Sequence, residues 1–157
     1  MTRAQAIEQL LDEVGDSLVV ASLGLISREL FELRKKRGEP TEDFYMQGSM
    51  GCAVGIGLGL ALNTKKPVYV LTGDGAFLMK LGSLATVLRY APPNLHIIVL
   101  NNGCHESCGG QPTSFDSIKK YLPVRVIDIA TGVSPDLGRP SVDPELITKK
   151  FREKVDS

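Results

Sequence analysis

Neither sign of charge is in excess. The 157 residues carry 18 Lys and Arg against 18 Asp and Glu, so no net field draws the chain to nucleic acid or to a membrane surface. Cysteine is scarce and odd in number at three, which excludes a disulfide framework and fits a reducing cytosol. Long apolar runs are missing as well. The least polar stretch, 46–62, is rich in glycine and short for a membrane span. Residues 1–11 are amphipathic with acidic residues downstream, so no signal peptide is expected and the chain reads as cytoplasmic. Repeats and low-complexity tracts are absent. With 43% hydrophobic and 23% charged residues, the composition is that of an ordinary soluble protein, expected as a single domain over 1–157.

What the chain does have is an organising stretch from Gly73 to Asn102. PVYVLT at 67–72 is a β-branched run behind a proline and reads as a buried parallel strand. Gly73-Asp74-Gly75 follows at once, a sharp turn with close backbone approach. Residues 78–89 carry apolar groups at helical spacing, and LHIIVL at 95–100 is a second buried strand ending on Asn101-Asn102. A right-handed crossover between the strands brings Asp74 and Asn102 to the same sheet edge, where open α/β sheets bind ligands. One carboxylate and one neutral amide oxygen suit Mg²⁺, which takes its remaining ligands from water and phosphate. The glycines beside Asp74 and the start of the next helix offer backbone N–H groups to a phosphate.

Around this stretch the chain predicts an α/β fold, an open parallel sheet with helices on both faces in three layers. A capping box at Thr2 opens a helix that ends near Gly15, and SLVVAS at 17–22 is the first strand. Leu23 to Ile26 form the turn at its carboxyl end, and Ser27 is expected to cap a helix over 28–36. Its basic end, Arg34 to Arg37, complements the helix dipole, and Gly38 stops it. FYMQGSMG at 44–51 is a short strand entering a turn. The helix 52–62 after it has Gly51, Gly55 and Gly59 at spacings of four, with Gly57 between. That face allows very close approach, either within the chain or across a subunit interface. A short helix is expected over 115–121, a further strand over 124–130, a Gly/Pro-rich crossing over 132–144, and a last helix from Asp143 or Pro144 to Val155. The polar loop 101–114 at the functional edge is a place for substrate contacts. Cys104, His105 and Cys108 lie close together there, but a tetrahedral zinc site needs four ligands, and the remaining Cys52 and His96 are poor candidates.

GDG, twenty-five residues, then NN resembles the signature of thiamine diphosphate enzymes. SRELFELR at 27–34, FYMQGSMG, the stretch 73–103 and CHESCGGQPT at 104–113 together resemble one family among them. It is the diphosphate-binding part of phosphonopyruvate decarboxylase and of the related sulfopyruvate decarboxylase. The resemblance implies thiamine diphosphate and Mg²⁺ as cofactors. Asp74 and Asn102 would ligate the metal through side chains and Cys104 through its carbonyl. Gly73, Gly75 and Ala76 would line the diphosphate, with Gly24 and Ser49 in the same cofactor-binding set. Met50 would prop the cofactor in a bent conformation, and the Gly48 carbonyl would receive the amino group of its pyrimidine. Arg28, His105 and Gln111 would bind a small anionic keto acid, with His105 also returning a proton after CO₂ leaves.

Enzymes of this kind press a glutamate from a second domain against the pyrimidine. No segment ahead of Gly73 is spare to form that domain, so the resemblance implies a separate pyrimidine-binding subunit and a hetero-oligomer with two-fold symmetry. The loop favours phosphonopyruvate as substrate, whereas a split chain favours the β subunit of sulfopyruvate decarboxylase. The turn 22–27 departs from the phosphonopyruvate pattern in being less polar. A cofactor-retaining assembly subunit without turnover is the alternative of another class. A free-standing Mg²⁺/nucleotide binder would have no use for the NN at fixed spacing.

Overall fold

The computed structural model describes residues 1–132 and 137–157. Five strands form one parallel sheet in the order β2-β1-β3-β4-β5, with β1 at Leu18–Ala21, β2 at Phe44–Tyr45, β3 at Val68–Gly73, β4 at Leu95–Asn101 and β5 at Arg125–Asp128. Alternation along each strand divides the core. Val19, Ala21, Leu71, Ile98 and Leu100 face helices α1 (Arg3–Val14) and α2 (Leu25–Lys36). Leu18, Val20, Val68, Val70, Ile97 and Val99 face the opposite layer, built from α3 (Ala53–Asn63), α4 (Asp74–Met79) and α5 (Ser83–Tyr90). Helix α6 (Pro144–Asp156) lies along the β2 edge and gives Ile147 to one core and Phe151 to the other. This is the expected three-layer α/β arrangement. Each fully buried aliphatic side chain in it, such as Leu30 of α2, stabilises the fold by about 1.5–3 kcal/mol.

The order places β1 beside both β2 and β3, so the chain leaves the carboxyl end of β1 in one direction and that of β3 in the other. A crevice opens at such a switch point. Three details differ from the sequence reading. Helix α2 starts at Leu25 behind Gly24, and Ser27 sits inside it. The Ser27 hydroxyl donates to the Ser22 carbonyl at 2.7 Å, tying α2 to the end of β1 in place of capping. The expected helix over 78–89 is two, because α4 begins directly at Asp74 and ends at Met79 before α5 starts at Ser83. The segment 115–121 forms two 3₁₀ turns, Phe115–Ser117 and Lys119–Tyr121.

The glycines of α3 do not act as one face. A Cβ on Gly57 would lie 2.2 Å from Val70 of β3, so this glycine is what lets the helix sit on the sheet. Gly55 and Gly59 are exposed, and a Cβ there would meet nothing within 4 Å. Of the crossing expected over 132–144, residues 133–136 lie outside the described residues. All three cysteines are free thiols, and among the described residues no helix is long and apolar enough to cross a membrane.

Candidate functional site

Three strand ends converge on one cleft. The turn after β1 contributes Ser22 and Leu23, the turn after β3 contributes Gly73 to Ala76, and the segment after β4 contributes Asn102 and Cys104 to Ser107. Register sets this convergence, because Gly73 pairs with Leu100 and the next residues of both strands leave the sheet side by side. Met50 closes one wall and Arg3, from the first turn of α1, another.

Asp74 is 2% exposed, and its Oδ2 accepts a hydrogen bond from the Thr113 hydroxyl at 2.5 Å. Thr113 is brought there by the loop after β4, which doubles back on itself. Cys104 and Pro112 form an antiparallel bridge, and the Thr113 N–H donates to the Gly103 carbonyl at 2.8 Å. Asn102 Nδ2 donates to Glu106 Oε2 at 2.9 Å, and its Oδ1 accepts from the Cys104 N–H at 3.3 Å. The half-buried His105 ring lies against the backbone of Gly75, where a Cβ would fall 2.5 Å from Nδ1 and Cε1. Only glycine at 75 leaves the imidazole this position. Burial pushes the Cys104 thiol up, as do the nearby Glu106 and Asp74 carboxylates, so Cys104 stays protonated.

Two buried polar groups at this end lack internal partners. The Ser22 hydroxyl lines the cleft, and Glu29 is paired with Arg3, which lines it too; neither that hydroxyl nor Oε2 of Glu29 has a hydrogen-bond partner among the described residues. Glu29 is joined to Arg3 at 3.1 Å, and Arg3 reaches Glu106 at 2.8 Å. Burial pushes the Glu29 carboxyl above the usual range, while Arg3 pulls it down.

The structure gathers Met50, Gly73, Asp74, Gly75, Ala76, Asn102, Cys104 and His105 at one cleft. Gly24 adjoins it, its Cα facing the Ser107 hydroxyl across 3.6 Å from a notional Cβ. Gly48 and Ser49 line a neighbouring depression with Met46 and Ile147. Arg28 and Gln111 are not brought in. The Arg28 guanidinium donates to the Leu137 carbonyl at 2.8 Å, and the exposed Gln111 amide lies over Gly109. The cleft holds instead Arg3, which sequence reasoning did not place in the site, and Glu106, which lies in the loop 101–114 expected at this edge but was given no role, along with Ser22. Thr113 was also passed over. The one signal for Arg3 was its position in the first turn behind the Thr2–Gln5 capping box, which points a side chain at whatever precedes the helix.

Residues 23–155 match the family described as thiamine pyrophosphate enzyme, C-terminal TPP binding domain. The chain belongs to this family. A phosphonopyruvate decarboxylase of Streptomyces viridochromogenes is 39% identical over 187 aligned residues, which cover 98% of this chain and 46% of that protein. The sulfopyruvate decarboxylase subunit beta of Methanothermobacter thermautotrophicus is 45% identical over 118, covering 75% of this chain and 62% of that subunit. A protein named sulfopyruvate decarboxylase from Methanosarcina acetivorans is 38% identical over 133, covering 85% of this chain and 33% of that protein. The chain thus spans a little under half the length of the phosphonopyruvate decarboxylases it matches, 46% and 45%. Family membership assigns thiamine diphosphate to the domain, and the cleft fits an anion–cation pair. It has an orphaned hydroxyl at Ser22 and hard oxygen donors at Asp74 and Asn102.

Proposed function

We propose that this chain is the cofactor-binding part of a thiamine diphosphate-dependent 2-keto acid decarboxylase that converts 3-phosphonopyruvate to phosphonoacetaldehyde and CO₂. The charge inventory of the cleft carries the reading. Among the described residues that line it, Arg3 is the only one with a fixed positive charge, and it is held by two carboxylates. Asp74 and Glu106 are acidic. A diphosphate entering such a cleft needs a divalent cation of its own, and Mg²⁺ matches the donors: the Asp74 carboxylate, the Asn102 carboxamide oxygen and the Cys104 carbonyl.

When bound, thiamine diphosphate supplies the electron sink that decarboxylation of a 2-keto acid requires. The chain supplies the surroundings. Gly73, Gly75 and Ala76 offer backbone to the diphosphate with Gly24 adjoining them, and Ser49, in the neighbouring depression with Gly48, serves the same cofactor. Met50 offers a bulky apolar prop beside it, and the Gly48 carbonyl is an acceptor for the pyrimidine amino group. His105, held flat on Gly75, is the proton donor at the reacting centre. It is also the substrate contact that remains in the cleft, since Arg28 and Gln111 lie outside it.

The glutamate that acts on the pyrimidine comes from a partner subunit. Glu29 and Glu106 are the acidic residues nearest the cleft after Asp74, and Arg3 engages both. The site is completed across an interface in a cytoplasmic hetero-oligomer with two-fold symmetry. A second reading, the β subunit of sulfopyruvate decarboxylase, is favoured by the higher identity to a relative of that name, 45%.

The test is an assay of the chain alone, and of the chain co-expressed with candidate partners, under saturating Mg²⁺ and thiamine diphosphate. Both keto acids are offered. The chain alone is expected to be silent and the pair to release CO₂ from phosphonopyruvate. Robust turnover by the chain alone overturns the partner; turnover of sulfopyruvate alone selects the second reading. Cofactor binding without turnover in any pairing selects an assembly subunit.

A further inference from the structure

Glu106 and Arg3 have no role in the reaction as described, yet both are at the cleft and tied to a residue that is. The Asn102 side chain presents two chemically opposite ends, an oxygen that binds a cation and an NH₂ group that repels one. Its Nδ2 donates to Glu106 Oε2 at 2.9 Å. A carboxylate only accepts, so the NH₂ end alone is admissible on that side. The Asn102 oxygen, having accepted one N–H from Cys104, keeps a second lone pair. Glu106 is itself fixed from two directions: Arg3 Nη1 donates to the same Oε2 at 2.8 Å, and the Gly132 N–H donates to Oε1 at 2.7 Å. Arg3 is anchored in turn by Glu29 at 3.1 Å, and is 5% exposed. Asp74 needs no such guide, because a carboxylate presents oxygen whichever way it turns.

We infer that the Arg3–Glu106 pair is a positioning device that fixes the orientation of the Asn102 carboxamide, so that its oxygen rather than its NH₂ group serves the divalent cation. The inference rests on the reading of Asp74 and Asn102 as metal ligands, and extends it to an acidic residue that never touches the ion. Outer-shell partners of this kind change metal affinity by about 10–100-fold when removed.

The experiment is a double-mutant cycle read by calorimetry, titrating Mg²⁺ into the full chain with saturating thiamine diphosphate. Glu106→Ala in the native background is expected to weaken Mg²⁺ binding by about tenfold or more. In an Asn102→Asp background the same Glu106→Ala change should cost nothing, since orientation no longer matters there. A merely structural role predicts equal losses in both backgrounds and overturns the inference, as does an unchanged affinity in the first. Glu106→Gln, which keeps the size of the side chain, replaces Glu106→Ala if that variant does not fold. A second readout needs no cofactor. The Asn102 side-chain amide resonances, assigned by their disappearance in Asn102→Asp, should lie away from free-carboxamide positions and move toward them in Glu106→Ala. Unmoved resonances overturn the inference while the function stands. A parent chain that binds thiamine diphosphate with no dependence on Mg²⁺ overturns the metal reading, and this inference with it.

Discussion

Helix α2 has a buried ion cluster at each end, and the two are finished differently. At the amino edge of the sheet, Arg34 grips both oxygens of Asp43 at 2.9 and 3.2 Å and Glu39 at 2.7 Å. Tyr45 adds its hydroxyl to Asp43 at 3.2 Å, and Lys154 approaches within 3.9 Å. Burial, then the neighbouring Asp43 carboxylate, keeps the Tyr45 hydroxyl protonated. Hydrogen bonds from Arg34 and Arg37 hold the Glu39 carboxyl below its usual range. At the carboxyl edge one guanidinium serves Glu29 and Glu106, Oε2 of Glu29 has no hydrogen-bond partner among the described residues, and Glu29 is pushed up by burial. The first cluster satisfies its carboxylates with its own cations and the Tyr45 hydroxyl. The second keeps an excess of acceptors beside a cleft, an arrangement that costs stability and is useful where an ion arrives.

The contrast can be broken most severely at Asp74. Asp74→Ala should lower Mg²⁺-dependent retention of thiamine diphosphate beyond the roughly hundredfold that outer-shell changes reach, measured by calorimetry; retention equal to the parent's would remove the site from this edge. Next comes Arg34→Met, which strands Asp43 in the interior. Urea unfolding should report a loss of about 3–5 kcal/mol with cofactor affinity unaltered, and a loss below about 1 kcal/mol would erase the distinction between the two ends. His105→Ala, assayed with the partner, should lower turnover about a hundredfold or more, as expected for a lost proton donor, with cofactor affinity nearly constant. An imidazole that matters only for binding would reverse that split.

The smallest effects are in pH dependence, and they have opposite signs. Glu39 has a depressed carboxyl, so the unfolded chain binds more protons than the folded one between the depressed and the usual value. Its contribution to stability is present above that window and lost as pH falls through it. Glu29 has a raised carboxyl, so the folded chain binds more protons, and stability falls as pH rises through the usual value to the raised one. Unfolding titrations of Glu29→Gln should lack the second slope and keep the first. An unchanged profile would mean that Arg3 compensates Glu29 fully.

Legibility in the sequence followed the range over which each feature is determined. The strands of the central stretch were visible because burial on both faces demands unbroken β-branched runs, as in VYVLTG and LHIIVLN. Asp74 and Asn102 were visible because glycine and asparagine at strand ends have few other reasons to occur together. The split of 78–89 into α4 and α5 was not, since Leu78, Leu81 and Leu84 keep helical spacing across the break. Arg28 was assigned to substrate because it stands in the first turn of the SRELFELR helix near the sheet edge, where the resemblance implies an anion contact, yet three-dimensional placement sends it to the Leu137 carbonyl. The ion pairs of Arg3 with Glu29 and Glu106 escaped for the converse reason. Their partners lie 26 and 103 positions apart, and no local pattern distinguishes a charged residue that will be buried from one that will stay in water.

That last separation also sets an order of events during synthesis. Arg3 leaves the ribosome 103 residues ahead of the carboxylate of Glu106. At about 5–20 residues per second the delay is roughly 5–20 s. Through that interval α1 and α2 can meet, with Arg3 on Glu29, but the contact that orients Asn102 does not yet exist. A nascent chain halted before β4 would therefore hold α1 and α2 without Asn102 or Glu106, so the cleft is completed only once β4 and the loop after it have been made.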